Sequence, residues 1–103
     1  MVLLSVMYPH ADGSRFDADY YVDTHMPLVR ARLGSALKDF KATQGLSGGE
    51  PGSAPTYQFV AHLTFVSPEA MGEKLGQHGA ELFADVPNFT DVQPIVQVSE
   101  ILA

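Results

Sequence analysis

Hydrophobic and polar positions alternate along residues 57–66 and, more loosely, along residues 36–46, while residues 2–8 are apolar almost throughout. The clearest alternating stretch covers residues 57–66, where one side is apolar and the other is mostly polar. Such alternation is typical of a β-strand with one face against a core. Its apolar side consists of Tyr57, Phe59, Ala61, Leu63 and Phe65. The pattern predicts strands at about residues 2–8, 36–46, 57–66 and 92–102, and helices at about residues 17–33 and 68–84.

The predicted elements follow one another in the order β-α-β-β-α-β. Because the crossovers in such a chain are right-handed, this order places both helices on one face of a four-stranded antiparallel sheet, the split βαβ arrangement. A chain of 103 residues has the length of one domain. We therefore expect a single α+β domain over residues 1–103, with its core between the two helices and one face of the sheet.

The sheet face opposite the helices is expected to be apolar as well. Whichever face the helices cover, the other still carries side chains such as Leu3 and Met7 in the first strand, or Val60 and Val66 around the third. An antiparallel sheet with one solvated face alternates more cleanly than this. The end of the chain is also hydrophobic, with Ile95, Val96, Val98, Ile101 and Leu102. These observations predict a homodimer in which the two sheets pack face to face.

Local signals mark the ends of both helices and a distortion inside the first. Asp17 is placed to cap the first helix, and Gly34 is placed to end it. Ser67 followed by Pro68 is the expected start of the second helix. Pro27 lies within the first helix, where it cannot donate a backbone hydrogen bond and crowds the preceding turn. We therefore expect a kink or a 3₁₀ turn near residues 24–26.

The charge balance argues against nucleic acid as a partner. Twelve acidic residues stand against six basic ones, which gives a formal net charge of −6, and the basic residues are scattered. A chain with this balance repels a phosphate backbone. No stretch approaches the roughly 18 apolar residues of a membrane-spanning helix, and the N-terminal strand lacks the basic flank of a secretory signal. We therefore expect no membrane partner and a cytoplasmic location.

The side chains best suited to catalysis or binding are concentrated on the first helix, where Tyr20, Tyr21 and His25 occupy about two turns. Adjacent helical residues point about 100° apart, so Tyr21 is the better candidate to share the inward face with His25. A neutral imidazole there can accept a proton from a bound compound or donate one to its carbonyl group. In the structural alternative, His25 satisfies a backbone carbonyl freed by Pro27. On the residues alone, the structural alternative is favoured.

Aromatic residues elsewhere in the chain are candidate walls for a pocket around His25. The predicted ligand-binding residues are Tyr21, Phe16, Tyr57, Phe65 and Phe83. Each is also a suitable core residue, but a pocket with apolar walls and few polar groups suits a small hydrophobic ligand. The four histidines show no metal-motif spacing, and the chain has neither a nucleotide fingerprint nor a cysteine. We therefore expect no metal site and no organic cofactor.

The first helix also carries a sequence motif, F-D-x-x-Y-Y-x-x-x-H-x-P-L, from Phe16 to Leu28. In this motif the chain resembles the EthD family. The likeness extends to residues 45–52, 59–65 and 88–100. The resemblance implies a ferredoxin-like protomer that pairs into a dimeric α/β-barrel, and it places the histidine of the family at His25. With this resemblance, the catalytic and structural interpretations of His25 become almost evenly balanced.

Two classes of function follow from the resemblance. Relatives with this fold include isomerases, cyclases and cofactor-independent oxygenases. This implies an enzyme of a catabolic pathway that uses His25 as acid or base on a small apolar carbonyl or lactone compound. The alternative is a binding or accessory protein of an oxidative degradation pathway, which holds a small hydrophobic compound without turning it over.

Overall fold

The computed structural model describes residues 1–103 and confirms the predicted order of elements. The strands are β1 (Val2–Pro9), β2 (Leu37–Gln44), β3 (Tyr57–Phe65) and β4 (Ile95–Glu100). Helix α1, residues 18–33, consists of the consecutive segments Ala18–Tyr20, Tyr21–His25 and Met26–Leu33, and helix α2 is Pro68–Ala84. Short 3₁₀ turns follow the helices at Gly34–Ala36 and Val86–Asn88. Strand β4 begins later than the sequence suggested because Pro94 has no N–H group for the ladder.

The four strands form one antiparallel sheet in the order β2-β3-β1-β4. This is the order of a ferredoxin-like α+β fold, as predicted, because each helix connects two strands that are not neighbours in the sheet. Both helices lie on the same face of the sheet. The alternating side chains of β1 and β3 that point toward the helices are all buried, from Val2 to Tyr8 and from Phe59 to Phe65.

The signals at the ends of the helices act as predicted. The Asp17 carboxylate accepts a hydrogen bond from the N–H of Tyr20 at 3.0 Å, and the Ser67 hydroxyl accepts one from the N–H of Ala70 at 3.1 Å. Gly34 ends helix α1 with a φ of 55°, a left-handed conformation that glycine adopts without strain. Neither helix is both long enough and apolar enough to cross a membrane.

The open face of the sheet is more polar than the sequence suggested. The strand register places Ser5 between His62 and Gln97 in its central row. The row nearer the start of β4 is apolar and consists of Ile95, Met7 and Val60. The open face therefore combines a polar middle with an apolar patch at one end.

Strand β4 corrects a further expectation about the second face. Val96 and Val98 pair with Val6 and Leu4, whose side chains point toward the helices, so these two valines belong to the helix side of the sheet. They remain 45% and 53% exposed because the helices do not extend over this edge strand. The hydrophobic end of the chain is thus divided between the two faces.

Candidate functional site

The distortion expected in helix α1 is present, and it is a π-helical turn, not a 3₁₀ turn. Over Tyr21–His25 the helix widens, and the N–H of Met26 donates to the carbonyl of Tyr21, five residues earlier. Pro27 has no N–H group, so the regular hydrogen-bond ladder cannot continue through this turn. Both Tyr21 and His25 face inward from the widened turn and are buried.

Asp85 reaches this turn from the C-terminal end of helix α2. Its carboxylate accepts a hydrogen bond from the Tyr20 hydroxyl at 2.8 Å and lies 2.8 Å from Nδ1 of His25. The side-chain amide of Asn88 donates to the same carboxylate at 2.8 Å. A helix C-terminus disfavours an acidic residue because its dipole is negative there. Three hydrogen bonds to one carboxylate compensate for that unfavourable position.

The segments next to this histidine–aspartate pair are tied together. The Arg15 guanidinium donates to the carbonyl of Pro87 at 2.8 Å, and the backbone N–H of Asp17 donates to the carbonyl of Phe89 at 2.7 Å. The Thr90 hydroxyl donates back to the carbonyl of Arg15 at 2.7 Å. These bonds hold the end of helix α2 against the start of helix α1, so the pair is positioned by the fold.

The hydrogen bond to Asp85 fixes which nitrogen of His25 carries the proton. An ionised carboxylate can only accept, so Nδ1 must donate, and Nε2 of the neutral ring is then a free acceptor. Nε2 makes no hydrogen bond with the protein, and the ring is held between Tyr21 and Phe89 at centroid distances of 4.9 Å each. A carboxylate that orients an imidazole with one bare nitrogen is the arrangement of a general base.

The surroundings of the pair keep His25 neutral and Asp85 ionised. Burial lowers the pKa of His25 below the usual 6.5, and this effect outweighs the hydrogen bond and the charge of Asp85, which oppose it. Burial works to raise the pKa of Asp85, but the hydrogen bonds from Asn88, His25 and Tyr20 together hold it below the usual 3.8. At neutral pH the imidazole is therefore available to accept a proton.

A cavity of about 40 Å³ lies between the helices and the sheet, next to His25. Of the thirteen residues that line it, twelve are hydrophobic, and His25 is the thirteenth. Tyr8 and Tyr21 supply phenol groups, and aliphatic side chains such as Leu4, Val29 and Leu63 form the rest of the wall. No group of three or more acidic or histidine side chains is placed to hold a metal ion.

Three of the residues that the sequence nominated meet at this cavity. His25, Tyr21 and Phe83 line it together. Tyr21 is buried against the imidazole, whereas Phe83 is 43% exposed and forms part of the outer wall.

The other three nominated residues lie outside the cavity lining. Phe16 stacks on Phe59 at a centroid distance of 4.3 Å, in an aromatic cluster behind Tyr21. Tyr57 is half-buried at the start of β3, and Phe65 is fully buried at the other end of that strand. Phe16 thus supports the pocket from behind, while Phe65 is a core residue away from it.

Asp85 is the functional candidate that the sequence analysis missed. Its position carried one usable signal, because an acidic residue at the end of a helix is unfavourable unless something holds it there. The partner that the sequence analysis gave His25 in its structural alternative is wrong, since Nδ1 bonds to this carboxylate and not to a carbonyl freed by Pro27. Tyr20, set aside in favour of Tyr21, is the tyrosine that contacts Asp85.

Comparisons with known proteins agree with this fold. The family model of the EthD domain matches residues 12–93. An EthD-like protein from Ralstonia eutropha has a crystal structure that matches with 39% identity and a TM-score of 0.94, covering 99% of this chain and 92% of that one. A search among curated proteins gives no match.

Two more distant structures show the fold alone. An ethyl tert-butyl ether D (EthD) family protein from Bacillus halodurans has 18% identity and a TM-score of 0.68, and 99% of each chain is covered. A protein from Arabidopsis thaliana has 17% identity and a TM-score of 0.70, covering 100% of this chain and 97% of that one.

Proposed function

We propose that this chain, which belongs to the EthD family, binds a small apolar carbonyl or lactone compound between helix α1 and the sheet and moves a proton on it with His25. The observation that carries the proposal is the bare Nε2 of an imidazole that Asp85 orients at 2.8 Å, next to a hydrophobic cavity. The reaction needs no metal or organic cofactor, because the base and the orienting carboxylate both belong to the chain.

The size of the cavity limits what reaches His25. A volume of 40 Å³ holds about three water molecules, and thus a carbonyl group with its neighbouring carbon atoms. Phe83 and Val86 separate this cavity from an open groove of about 450 Å³ at the edge of strand β4. A longer ligand would therefore place its reacting end at His25 and its remainder beyond these two side chains.

The test is deuterium uptake from heavy water at the α-carbon of cyclopentanone, cyclohexanone and γ-butyrolactone, followed by NMR. We expect the wild-type protein to accelerate exchange for at least one of them. His25→Gln should lower the rate about 10²- to 10⁴-fold, the usual contribution of a general base, while ligand binding is retained. His78→Gln is the matched control, because that histidine lies on helix α2, outside the cavity lining and away from the open face of the sheet.

The same experiment separates the enzyme from the accessory protein. Binding of these compounds to the wild-type protein without any exchange would favour a protein that holds its ligand and leaves it unchanged. Equal exchange by the wild-type protein and His25→Gln would contradict the role given to His25.

We also propose a homodimer that covers the open face of the sheet. The apolar patch formed by Ile95, Met7 and Val60 has no partner within the chain, and Ile95 is 50% exposed. Packing this patch against a second copy would remove it from water. The polar row through Ser5 and His62 would then need hydrogen bonds across the interface.

A further inference from the structure

Two hydroxyl groups in the cavity have no partner within the chain. Tyr8 and Tyr21 are only 1% and 2% exposed, yet neither hydroxyl forms a hydrogen bond with the protein. No buried side-chain nitrogen or oxygen is fully enclosed without a partner, so both hydroxyls must border open space. The space that both residues line is the cavity beside His25.

We infer that Tyr8 and Tyr21 form a two-donor site for one oxygen atom of the substrate, and that the substrate is therefore an enolisable carbonyl compound. This inference rests on the proposed function, because it takes His25 as the base. The inference adds hydrogen-bond donors that stabilise the negative charge that develops on oxygen when a carbon acid loses its proton.

The two tyrosines are suited to donate and not to accept charge. Burial raises the pKa of both phenols well above the usual 10, so both hydroxyls keep their protons throughout the physiological range. Because neither hydroxyl has an acceptor within the chain, a ligand that brings an acceptor into the cavity is favoured. The aromatic packing of Tyr8 against Phe16 and Phe89, with centroids 5.1 and 5.7 Å apart, fixes where its hydroxyl lies.

The remaining lining selects a neutral substrate. No Lys or Arg lines the cavity, and the carboxylate of Asp85 lies directly behind the imidazole. A carboxylate or phosphate group would therefore enter without a cation to balance it. A ketone, an aldehyde or a lactone brings a neutral oxygen that becomes anionic only during the reaction.

The proposed reaction balances in protons and electrons without an added reagent. Nε2 of His25 takes the proton from the carbon next to the carbonyl, and the C–H electron pair forms a carbon–carbon double bond. The carbonyl π electrons move to oxygen, where the hydroxyls of Tyr8 and Tyr21 donate hydrogen bonds. Return of the proton from Nε2 to the same carbon gives exchange, and return to a conjugated carbon gives an isomer.

Acetylacetone is a direct probe, because its neutral and enolate forms absorb at different ultraviolet wavelengths. We expect acetylacetone to enter as the neutral compound and to ionise inside the cavity. There its proton passes to Nε2 of His25 and the two hydroxyls donate to the enolate oxygen, so the apparent pKa of bound acetylacetone is lowered. Tyr8→Phe and Tyr21→Phe should each weaken enolate binding about tenfold or more, the effect of removing one hydrogen bond to a charged group. Tyr57→Phe, which removes a tyrosine hydroxyl outside the cavity, should leave binding unchanged.

Thermal unfolding of the same variants distinguishes this role from a structural one. Removal of a hydroxyl that has no partner in the free protein should leave the unfolding temperature unchanged or slightly raised. A marked fall in both variants would indicate that the hydroxyls serve the fold, and would overturn the inference. Enolate binding by both variants as tight as in the wild-type protein, or no enolate preference in the wild-type protein, would also overturn it. In either case, exchange that still depends on His25 would leave the proposed function standing.

Discussion

Asp85→Asn should lower the rate of α-carbon exchange by about 10²- to 10⁴-fold while the probe ketones bind with affinities within about threefold of the wild-type values. An amide has almost the same shape as the carboxylate, but its NH₂ group can donate to Nδ1 of His25. The ring proton then moves to Nε2, and the base is lost from the cavity. The predicted defect is therefore in the rate and not in binding, and exchange and titration by NMR measure the two separately.

Glu81→Gln is the matched control for this substitution. Glu81 lies on the same helix about one turn earlier, and its carboxylate bonds to Arg32 at 2.9 Å on the surface. The control removes the same charge from helix α2 without touching His25 and should leave the exchange rate unchanged. An Asp85→Asn protein that exchanges as fast as the control would show that Asp85 does not orient the base.

Ile95→Asp should dissociate the proposed homodimer. By symmetry, each dimer would bury two unpaired carboxylates, one from each copy, and each costs several kcal/mol. We expect the dissociation constant to rise roughly 10³-fold or more. Sedimentation velocity at micromolar concentration should show a wild-type dimer and an Ile95→Asp monomer.

Val98→Asp is the control that tests which face associates. Val98 belongs to the same strand and is 53% exposed, against 50% for Ile95, but it lies on the helix side of the sheet. If the open faces pack together, Val98→Asp should remain a dimer. Dissociation of Val98→Asp alone would place the interface on the other face, and a wild-type monomer would refute the dimer.

Much of the fold follows from local physical chemistry. The alternation from Tyr57 to Phe65 predicted β3, because a strand with one buried face repeats every two residues. Asp17, Gly34 and Ser67 predicted the ends of the helices, because each supplies a conformation or an acceptor that a helix terminus needs. These signals depend on neighbouring residues alone, so the sequence contains them directly.

The parts that the sequence left undetermined depend on contacts across the fold. Pro27 indicated an irregular turn, but a 3₁₀ turn and a π turn are both compatible with the N–H group that proline lacks. The π turn that forms is accompanied by burial of Tyr21 and His25. Asp85 is 60 residues from His25 in the chain, and only the pairing of the helix ends brings them together. The polarity of the open face likewise depends on strand register, which sets Ser5 beside His62.

The central claim is that His25 is a neutral base whose Nδ1 donates to Asp85 and whose Nε2 faces the cavity. Nitrogen-15 NMR of the wild-type protein, recorded from pH 8 downward, tests it most directly. We predict that His25 carries its proton on Nδ1 at neutral pH and takes up a second proton with a midpoint below the usual 6.5, because burial disfavours the charged ring. A proton on Nε2 at neutral pH, or a midpoint above 6.5, would contradict the account.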